Sequence, residues 1–240
     1  RSSFFAYVES RKLAKFPADA FLSPKMLSII IPTLNEEEYL PKLLDSIKKQ
    51  NFKDYEIIVA DFNSKDRTRH IAKKYGCRIT KGGLPAAARN NGAKIAKGEL
   101  LLFLDADCII RKSFLKKSVE QIKRRKIDTA GCYARPLSNK TLDIIFFSLF
   151  NLWTRITQFF YPNAAFGIFC KKSLHQRIKG FDESIKLSED MDYIKRAGKH
   201  GKFRILKYVK IYASVRRFEE EGRLRLITKL FLSGLYRIFF

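Results

Sequence analysis

The chain has 240 residues, of which 46% are hydrophobic, so it is long enough for one globular domain with a substantial core. Its 48 lysines and arginines outnumber its 24 aspartates and glutamates, and the resulting net charge of +24 favours nucleic acid, anionic lipid or phosphorylated substrates as partners. The four cysteines show no CxxC pairing, which excludes a disulfide framework and predicts reduced core thiols of a cytosolic protein.

The first 25 residues hold no signal-peptide core, because their apolar runs stay at two or three residues. We expect the domain to begin near Met26, with residues 1–25 an N-terminal extension or a segment added for expression. Short runs of branched apolar residues then alternate with apolar residues at helical spacing, which is typical of a doubly wound sheet. The predicted strands cover 27–32, 55–60, 77–80 and 100–104, and the helices between them end near residues 47, 75 and 96.

The fourth predicted strand runs directly into two carboxylates. Five consecutive apolar residues at 100–104 predict a central strand that is covered on both faces. Asp105 and Asp107 follow, and their two-residue spacing points both side chains the same way at the carboxyl edge of the sheet. Two adjacent negative charges require a cation, and Mg²⁺ or Mn²⁺ escorting phosphates is the simplest one. An Asp-rich turn without a ligand is the alternative.

The second half of the chain contains a long amphipathic pattern at 142–160. Asp143, Asn151, Thr154 and Gln158 form its polar face, although Phe147 and Phe150 intrude there. Polar residues interrupt the stretch, so it does not reach the length of a membrane span. Together with a basic amphipathic segment at 223–240, it suits binding to the surface of an anionic membrane. The predicted apolar stripe consists of Leu142, Ile145, Phe146, Leu149, Leu152, Trp153, Ile156, Phe159 and Phe160.

Five motifs appear in an order that resembles family 2 glycosyltransferases of the GT-A type, over roughly residues 26–222. They are SIIIPTLNEEEYL, EIIVADFNSKDRT, AAARNNGAKIAKGELLLFLDADC, GFDES and SEDMDY. Each motif is weak alone, and their order and spacing carry the resemblance. It implies a Rossmann-like, mostly parallel sheet with flanking helices, C-terminal amphipathic helices, and a donor site at the carboxyl edge of the first strands.

The resemblance also implies residues for the nucleotide. Pro32 and Glu36 match positions near the nucleotide, and Asp61 matches the acid that hydrogen-bonds the base. The chain departs from the family's DD-G-S pattern with Phe62 and Asn63, which puts the identity of the base in doubt. Capping of the following turn is the alternative role for Asp61.

Further correspondences concern the diphosphate. Arg89 matches a family arginine that bridges to a phosphate or to the DAD carboxylates, with a solvated charge on the helix face as the alternative. Asp107 corresponds to the direct metal ligand, and Asp105 to a group that reaches the ribose or a metal-bound water. One of Arg216 and Arg217 is expected to reach the diphosphate.

Glu189 and Asp190 match the family's ED motif. Asp190 is the expected catalytic base, which takes the proton of the acceptor hydroxyl, and Glu189 places it or binds the acceptor. Acidic residues that merely favour a helix N-terminus are the alternative. Phe181 is expected to be simple core packing. The three histidines show no ligand-like spacing and are expected at the surface.

The predicted activity is metal-dependent inverting transfer of one sugar from a UDP- or GDP-sugar to a hydroxyl or lipid-phosphate acceptor. The chain lacks the Q/RxxRW segment, which disfavours polymer synthesis. The protein is expected to be cytoplasmic and peripheral at the cytoplasmic face of a membrane. The alternatives are a nucleotide-sugar-binding protein without transfer, a nucleotidyltransferase, or a basic nucleic-acid-binding module. Nucleic acid is not the expected partner, because the aromatic residues concentrate in helical stripes.

Overall fold

The computed structural model describes residues 27–164, 166–229 and 232. The predicted extension at 1–25, and most of the predicted C-terminal segment, lie outside these residues. Eight strands form one mixed sheet, and each consists largely of branched or aromatic apolar residues that suit a pleated, buried surface. The strands are β1 Leu27–Thr33, β2 Tyr55–Asp61, β3 Arg78–Lys81, β4 Leu100–Phe103, β5 Cys108–Ile110, β6 Thr129–Pro136, β7 Ile168–Lys171 and β8 Phe203–Ala213.

Helices connect the parallel strands in the first half of the chain, as the sequence pattern predicts. A helix also precedes β7, and others flank β8. The helices are α1 Leu40–Lys48, α2 Thr68–Lys74, α3 Pro85–Ile95, α4 Phe114–Arg124, α5 Thr141–Thr157, α6 Lys172–Arg177, α7 Glu189–His200 and α8 Arg216–Glu220.

The sheet order is β3-β2-β1-β4-β7-β6-β8-β5. The first four strands are parallel, whereas β7 is antiparallel to both β4 and β6, and β5 is antiparallel to β8. Three strands lie between β4 and β5, although only residues 104–107 link them in the chain, so the sheet curls at this point. The DAD turn therefore lies where the sheet curls.

The central strand is covered on both faces, as predicted. All four residues of β4 are buried, and they alternate between two core clusters. Leu100 and Leu102 pack with α1 and α4 residues on one face, and Leu101 and Phe103 pack with α3, α6 and α7 residues on the other. Truncating such a side chain to alanine costs about 2–5 kcal/mol, so the strand that carries the DAD turn is rigidly held.

Within the described residues, all four cysteines are buried and none forms a disulfide, which agrees with the predicted reduced thiols. No helix in the described part of the chain is both long enough and apolar enough to cross a membrane.

The structure shows which face of the 142–160 helix is buried. The predicted polar face points inward, where Asp143, Phe147, Thr154 and Thr157 are 1–3% exposed, while the predicted apolar stripe faces solvent except for the half-buried Phe146. Asp143 is neutralised by Arg223, so the buried carboxylate is paired. Phe147, which interrupts the predicted polar face, packs inside the protein against the rings of Phe146, Phe166 and Phe218.

Candidate functional site

The DAD turn is anchored at both ends by backbone hydrogen bonds. Leu104 donates its N–H to the carbonyl of Ile30 on β1, at 3.0 Å, and thereby extends the parallel pairing to the end of β4. Asp107 accepts from the N–H of Ser214, at 3.1 Å, just after β8. The turn is therefore held between the two halves of the sheet, with Asp105 half exposed and Asp107 mostly buried.

Arg89 on α3 connects two acidic motifs. Its guanidinium donates to Oδ1 of Asp105 at 2.9 Å and to Oε1 of Glu189, the first residue of α7. Burial would lower the pKa of Arg89, but the carboxylates of Asp105, Glu189 and Asp190 raise it. The side chain is buried, so it is not the solvated helix-face charge that the sequence left as an alternative.

Asp190 lies beside this bridge, and the pKa of its carboxyl group is raised. Loss of solvation, followed by the neighbouring charge of Glu189, raises the pKa of Asp190 to about 7, while Arg89 opposes the rise. Its Oδ1 also accepts from the backbone N–H of Met191 at 2.8 Å. A carboxyl group that titrates near neutral pH is suited to general acid–base work.

A second arginine lies on the other side of the DAD turn. Arg216, the first residue of α8, donates to both carboxylate oxygens of Glu36, at 2.8 and 3.4 Å, and approaches Asp107 to 3.8 Å. It also stacks over the ring of Tyr39, with its central carbon 4.6 Å from the ring centroid. Desolvation raises the pKa of Glu36. Desolvation and the neighbouring charge of Asp105 together raise the pKa of Asp107 to about 6.

Asp61, at the end of β2, is buried and engaged in its own turn. Thr33 and Ser64 donate hydroxyl groups to its Oδ2, and the N–H of Ser64 donates to Oδ1 at 3.2 Å. The turn-capping role is thus present in the structure. Pro32 pairs in register with Ala60 one residue before this point, so both predicted nucleotide positions lie at the same edge of the sheet.

Asn90 fixes the GFDES turn, although its sequence position alone indicated no role. Its amide donates to the carbonyl of Phe181 at 2.9 Å and to Glu183 at 2.8 Å, and its oxygen accepts from the N–H of Phe181. Gly180 precedes this contact with φ +70°, and a Cβ there would lie 2.5 Å from the Asn90 amide oxygen. The sequence shows only that an amide residue stands next to Arg89. Its burial, which requires hydrogen-bond partners, is visible in the structure alone.

Behind the site lies an aromatic cluster. Phe181 is buried and stacks on Tyr193 with ring centroids 3.9 Å apart, which confirms its expected packing role. The expectation of surface histidines holds for His70 and His200 but is wrong for His175, which is buried and shares a hydrogen bond with the Tyr193 hydroxyl. Burial lowers the pKa of His175 to about 4, so this histidine stays neutral.

Arg217 is not part of the acidic cluster. It is exposed and pairs with Glu221 one helical turn later, at 3.3 Å. Of the two candidate arginines, the structure therefore brings only Arg216 to the DAD turn. Asp192 is likewise occupied elsewhere: it holds Arg196, which donates to the carbonyls of Ile178 and Gly180 below the GFDES turn.

Residues 28–178, more than half of the chain, match the family model described as Glycosyl transferase family 2. The chain belongs to this family. The described architecture is that of a GT-A glycosyltransferase, and the protein is an enzyme of this class.

Curated relatives of the glycosyltransferase support the assignment over part of their length. Poly(ribitol-phosphate) beta-N-acetylglucosaminyltransferase TarS of Staphylococcus aureus is 37% identical over 111 residues, covering 42% of this chain and 19% of TarS. GalNAc(5)-diNAcBac-PP-undecaprenol beta-1,3-glucosyltransferase of Campylobacter jejuni is 40% identical over 90 residues, covering 34% of this chain and 29% of that protein. The glycosyltransferase thus spans less than a third of either relative.

Solved structures extend the likeness to most of the fold. S. aureus TarS 1–349 in complex with UDP-GlcNAc superposes with a TM-score of 0.66 at 26% identity, covering 79% of this chain and 58% of that one. Mannosyltransferase PcManGT from Pyrobaculum calidifontis, in complex with GDP-Man and Mn²⁺, has a TM-score of 0.66 at 19% identity, covering 81% and 58%. The second likeness concerns the fold alone.

The carboxylate oxygens at the DAD turn can hold a divalent metal only together with oxygen atoms of a bound substrate or of water. No group of three His, Cys, Asp or Glu side chains in the described ranges forms a metal site by itself. Mg²⁺ and related hard cations are commonly held by one or two carboxylates together with substrate phosphates and water. Asp107 and Asp105 meet this requirement, because they lie on one short turn and Asp107 has an incompletely compensated charge.

Proposed function

We propose that this glycosyltransferase catalyses metal-dependent, inverting transfer of one sugar from a nucleotide-diphosphate sugar to a hydroxyl or a lipid phosphate, at a membrane surface. The observation that carries the proposal is the Arg89 bridge, which joins the DAD turn to the ED motif through one buried guanidinium. Acids for donor binding and for proton transfer thereby share one site, as a two-substrate displacement requires.

The donor site lies at the carboxyl edge of β1 and β2. In this proposal Glu36, Asp61 and Pro32 bind the nucleoside and Arg216 binds the diphosphate. The register of β1 with β2 and the hydrogen bond from Arg216 to Glu36 support the grouping. UDP-GlcNAc in the TarS complex supports a nucleotide-sugar donor with UDP as the nucleotide, and GDP is the second candidate. When Asp61 binds the base, Ser64 continues to orient its carboxylate, because Ser64 already donates to it.

Asp107 and Asp105 would hold a divalent cation, Mg²⁺ or Mn²⁺, together with diphosphate oxygens. Such a cation neutralises the charge that develops on the departing diphosphate. The elevated pKa of Asp107 supports this role, since its desolvated carboxylate gains stability from any added positive charge. Arg216 compensates Asp107 only partly, at 3.8 Å.

Asp190 acts as the base in transfer to a hydroxyl. Its carboxylate takes the hydroxyl proton while the acceptor oxygen bonds to the anomeric carbon, and the bond from that carbon to the diphosphate oxygen breaks. Glu189 fixes the guanidinium of Arg89, and Arg89 in turn holds Asp190 ionisable near neutral pH. A lipid phosphate is already ionised, so Asp190 would only orient such an acceptor.

The lipid acceptor and the membrane surface rest on charge and on relatives. The net charge of +24 favours anionic surfaces. The C. jejuni relative is named for a substrate linked to undecaprenol, which supports a lipid-linked acceptor.

The test is a thermal-shift panel of UDP-, GDP- and CDP-sugars, each with and without Mn²⁺, followed by a transfer assay with the best donor. A bound donor raises the melting temperature by mass action, and we expect this increase to require the metal. Stabilisation without transfer to any hydroxyl or polyprenyl phosphate would reassign the protein as a nucleotide-sugar-binding relative. Stabilisation by none of the donors would remove the proposal.

A further inference from the structure

Helix α5 is oriented with its polar side towards the protein. Asn151 makes two hydrogen bonds to the backbone of Ala134, at 2.8 and 3.0 Å, and covers one side of β6. Asp143 accepts from Arg223 at 2.8 and 3.1 Å and from the Ser138 hydroxyl at 2.7 Å. These partners satisfy the polar inner side, so the orientation of the helix is specified by hydrogen bonds as well as by packing.

The outer side of α5 and of the turn that follows it presents a continuous apolar surface. Large apolar side chains there are 46–74% exposed, although burial of one such side chain is worth about 1.5–3 kcal/mol. An exposed patch of this kind marks an interaction surface rather than an ordinary solvated helix. We call it the outer face of α5, and it consists of Leu142, Ile144, Ile145, Leu149, Leu152, Trp153, Ile156, Phe159 and Phe160.

The charges around the outer face are positive. Arg155 is exposed on the helix, and Arg204 stacks over the ring of Phe159 at 4.9 Å, whereas Lys140, which precedes the helix, is paired with the exposed Glu219 at 3.1 Å. The only acid between residues 137 and 164 is Asp143, which is buried against Arg223. An apolar face whose own segment carries exposed arginine and no exposed acid matches the boundary between phosphate headgroups and acyl chains of an anionic bilayer.

We propose that the outer face of α5 inserts into the headgroup region of an anionic lipid bilayer, with the helix axis parallel to the membrane plane. This inference rests on the membrane part of the proposed function and names the element responsible. A second copy of the chain is a poorer occupant, because two chains of net charge +24 repel each other.

The inner side of α5 links this surface to the candidate site. Phe147 and Phe146 pack against Phe218, with ring centroids 6.1 and 5.2 Å away, and Phe218 shares helix α8 with Arg216. Arg216 bonds Glu36 beside the DAD turn. One layer of aromatic side chains therefore separates the membrane-inserting helix from the helix that carries Arg216, which suits an acceptor drawn from the same bilayer.

Trp153 provides a direct test, because it is the only tryptophan of the chain and lies on the outer face. Vesicles of phosphatidylcholine with phosphatidylglycerol should shift its emission to shorter wavelength and protect it from quenching by acrylamide. Pure phosphatidylcholine should do so weakly. Binding to anionic vesicles in a flotation assay without any change in Trp153 emission would overturn the proposal, since the contact would then lie elsewhere.

A pair of variants separates insertion from charge. Leu149→Glu with Ile156→Glu places two charges on the outer face, and we expect vesicle binding to fall on the order of tenfold or more. Lys73→Gln with Lys74→Gln removes the same net charge from exposed positions on α2 and should retain binding and the Trp153 shift. If the first variant fails to fold, Leu149→Gln with Ile156→Gln replaces it and is compared with the unmodified protein, because it leaves the net charge unchanged. Equal binding by the outer-face variant and the control would overturn the proposal.

Two further readouts keep the outcomes distinct. Light scattering without vesicles should give a monomer, and a dimer that the outer-face variant dissociates would assign this face to a second copy and overturn the membrane assignment. Donor-induced thermal shifts should be equal in the variant, the control and the unmodified protein. A lost donor shift in all three would instead count against the proposed function.

Discussion

Arg89 and Glu189 are 100 positions apart in the chain, yet the guanidinium of Arg89 donates to the Glu189 carboxylate while its other branch donates to Asp105. The pair joins α3 to the start of α7 beside the DAD turn. Arg89 is itself buried and stacks over Phe181, with its central carbon 5.4 Å from the ring centroid. It is therefore a positioning residue for both acidic motifs rather than a group aimed at solvent.

Replacing Arg89 by methionine should leave the desolvated carboxylate of Glu189 and the half-exposed carboxylate of Asp105 without their partner. We expect a loss of about 3–5 kcal/mol in the free energy of unfolding, measured by chemical denaturation. Arg89 lowers the pKa of Asp190, so its removal should raise that pKa above 7 and move the midpoint of the pH–rate profile to higher pH. Arg89→Lys should restore only part of both effects, because one ammonium group cannot reproduce the two-branched contact. An unchanged pH midpoint in Arg89→Met would show that the bridge does not tune Asp190.

The raised pKa of Asp190 predicts the pH dependence of transfer to a hydroxyl. A base with a pKa of about 7 is protonated below pH 7, so the rate should rise about tenfold per pH unit up to pH 7 and then level off. Asp190→Asn should abolish this rise and lower kcat by roughly 100- to 10,000-fold, while the donor-induced thermal shift is retained. Full turnover by Asp190→Asn with a hydroxyl acceptor would remove the base assignment.

Asp107 should make opposite contributions to stability and to metal binding. Its folded-state pKa of about 6 exceeds the ordinary value of 3.8, so its ionisation costs the folded protein stability as the pH rises through this interval. Without metal at pH 8, Asp107→Asn should therefore be more stable than the unmodified chain, by about 1–2 kcal/mol. The same variant should lose the additional stabilisation by Mn²⁺ and donor. Equal Mn²⁺-dependent shifts in both proteins would place the metal away from Asp107.

The first half of the fold could be predicted because its signals are local. Apolar runs such as that of β4 are buried on both faces, and the first three strands are each followed by a helix. The antiparallel strand β7 is different: its four residues pair with both β4 and β6, and nothing within Ile168–Lys171 specifies these distant partners. Strand pairing between remote segments depends on the whole chain rather than on local pattern.

The orientation of α5 could not be predicted for a related reason. The sequence shows two faces, and the apolar one can either pack on a protein core or be exposed for binding to a membrane surface. Asp143 pairs with Arg223, which lies eighty residues later in the chain, and Phe147 and Phe150 pack on Phe166. The face that combines polar residues with these two phenylalanines is therefore the inner one. The two intruding phenylalanines were the visible signal. Long-range ion pairs of this kind leave no local pattern in the sequence.

The sequence indicated which types of residue gather at the candidate site. The sequence could not decide between Arg216 and Arg217, since adjacent arginines have equal chemistry and only the start of α8 separates their directions. The sequence also left two roles open for Asp61, which are binding of the nucleotide and capping of the following turn. The structure shows the hydrogen bonds of the capping role.

Arg216 and Arg217 form a matched pair for the last prediction. Arg216 is bound to Glu36 and lies 3.8 Å from Asp107, whereas Arg217 pairs with Glu221 at the surface. Arg216→Gln removes the guanidinium placed for the diphosphate and leaves two desolvated carboxylates with less positive charge. Because a hydrogen bond to a charged group contributes about 1.5–3 kcal/mol, we expect donor affinity to fall roughly 10- to 100-fold, measured by titration calorimetry with Mn²⁺ present. Arg217→Gln carries the same change in net charge and should bind the donor within about twofold of the unmodified protein. Equal losses in the two variants would mean that positive charge in general, rather than the contact made by Arg216, governs donor binding.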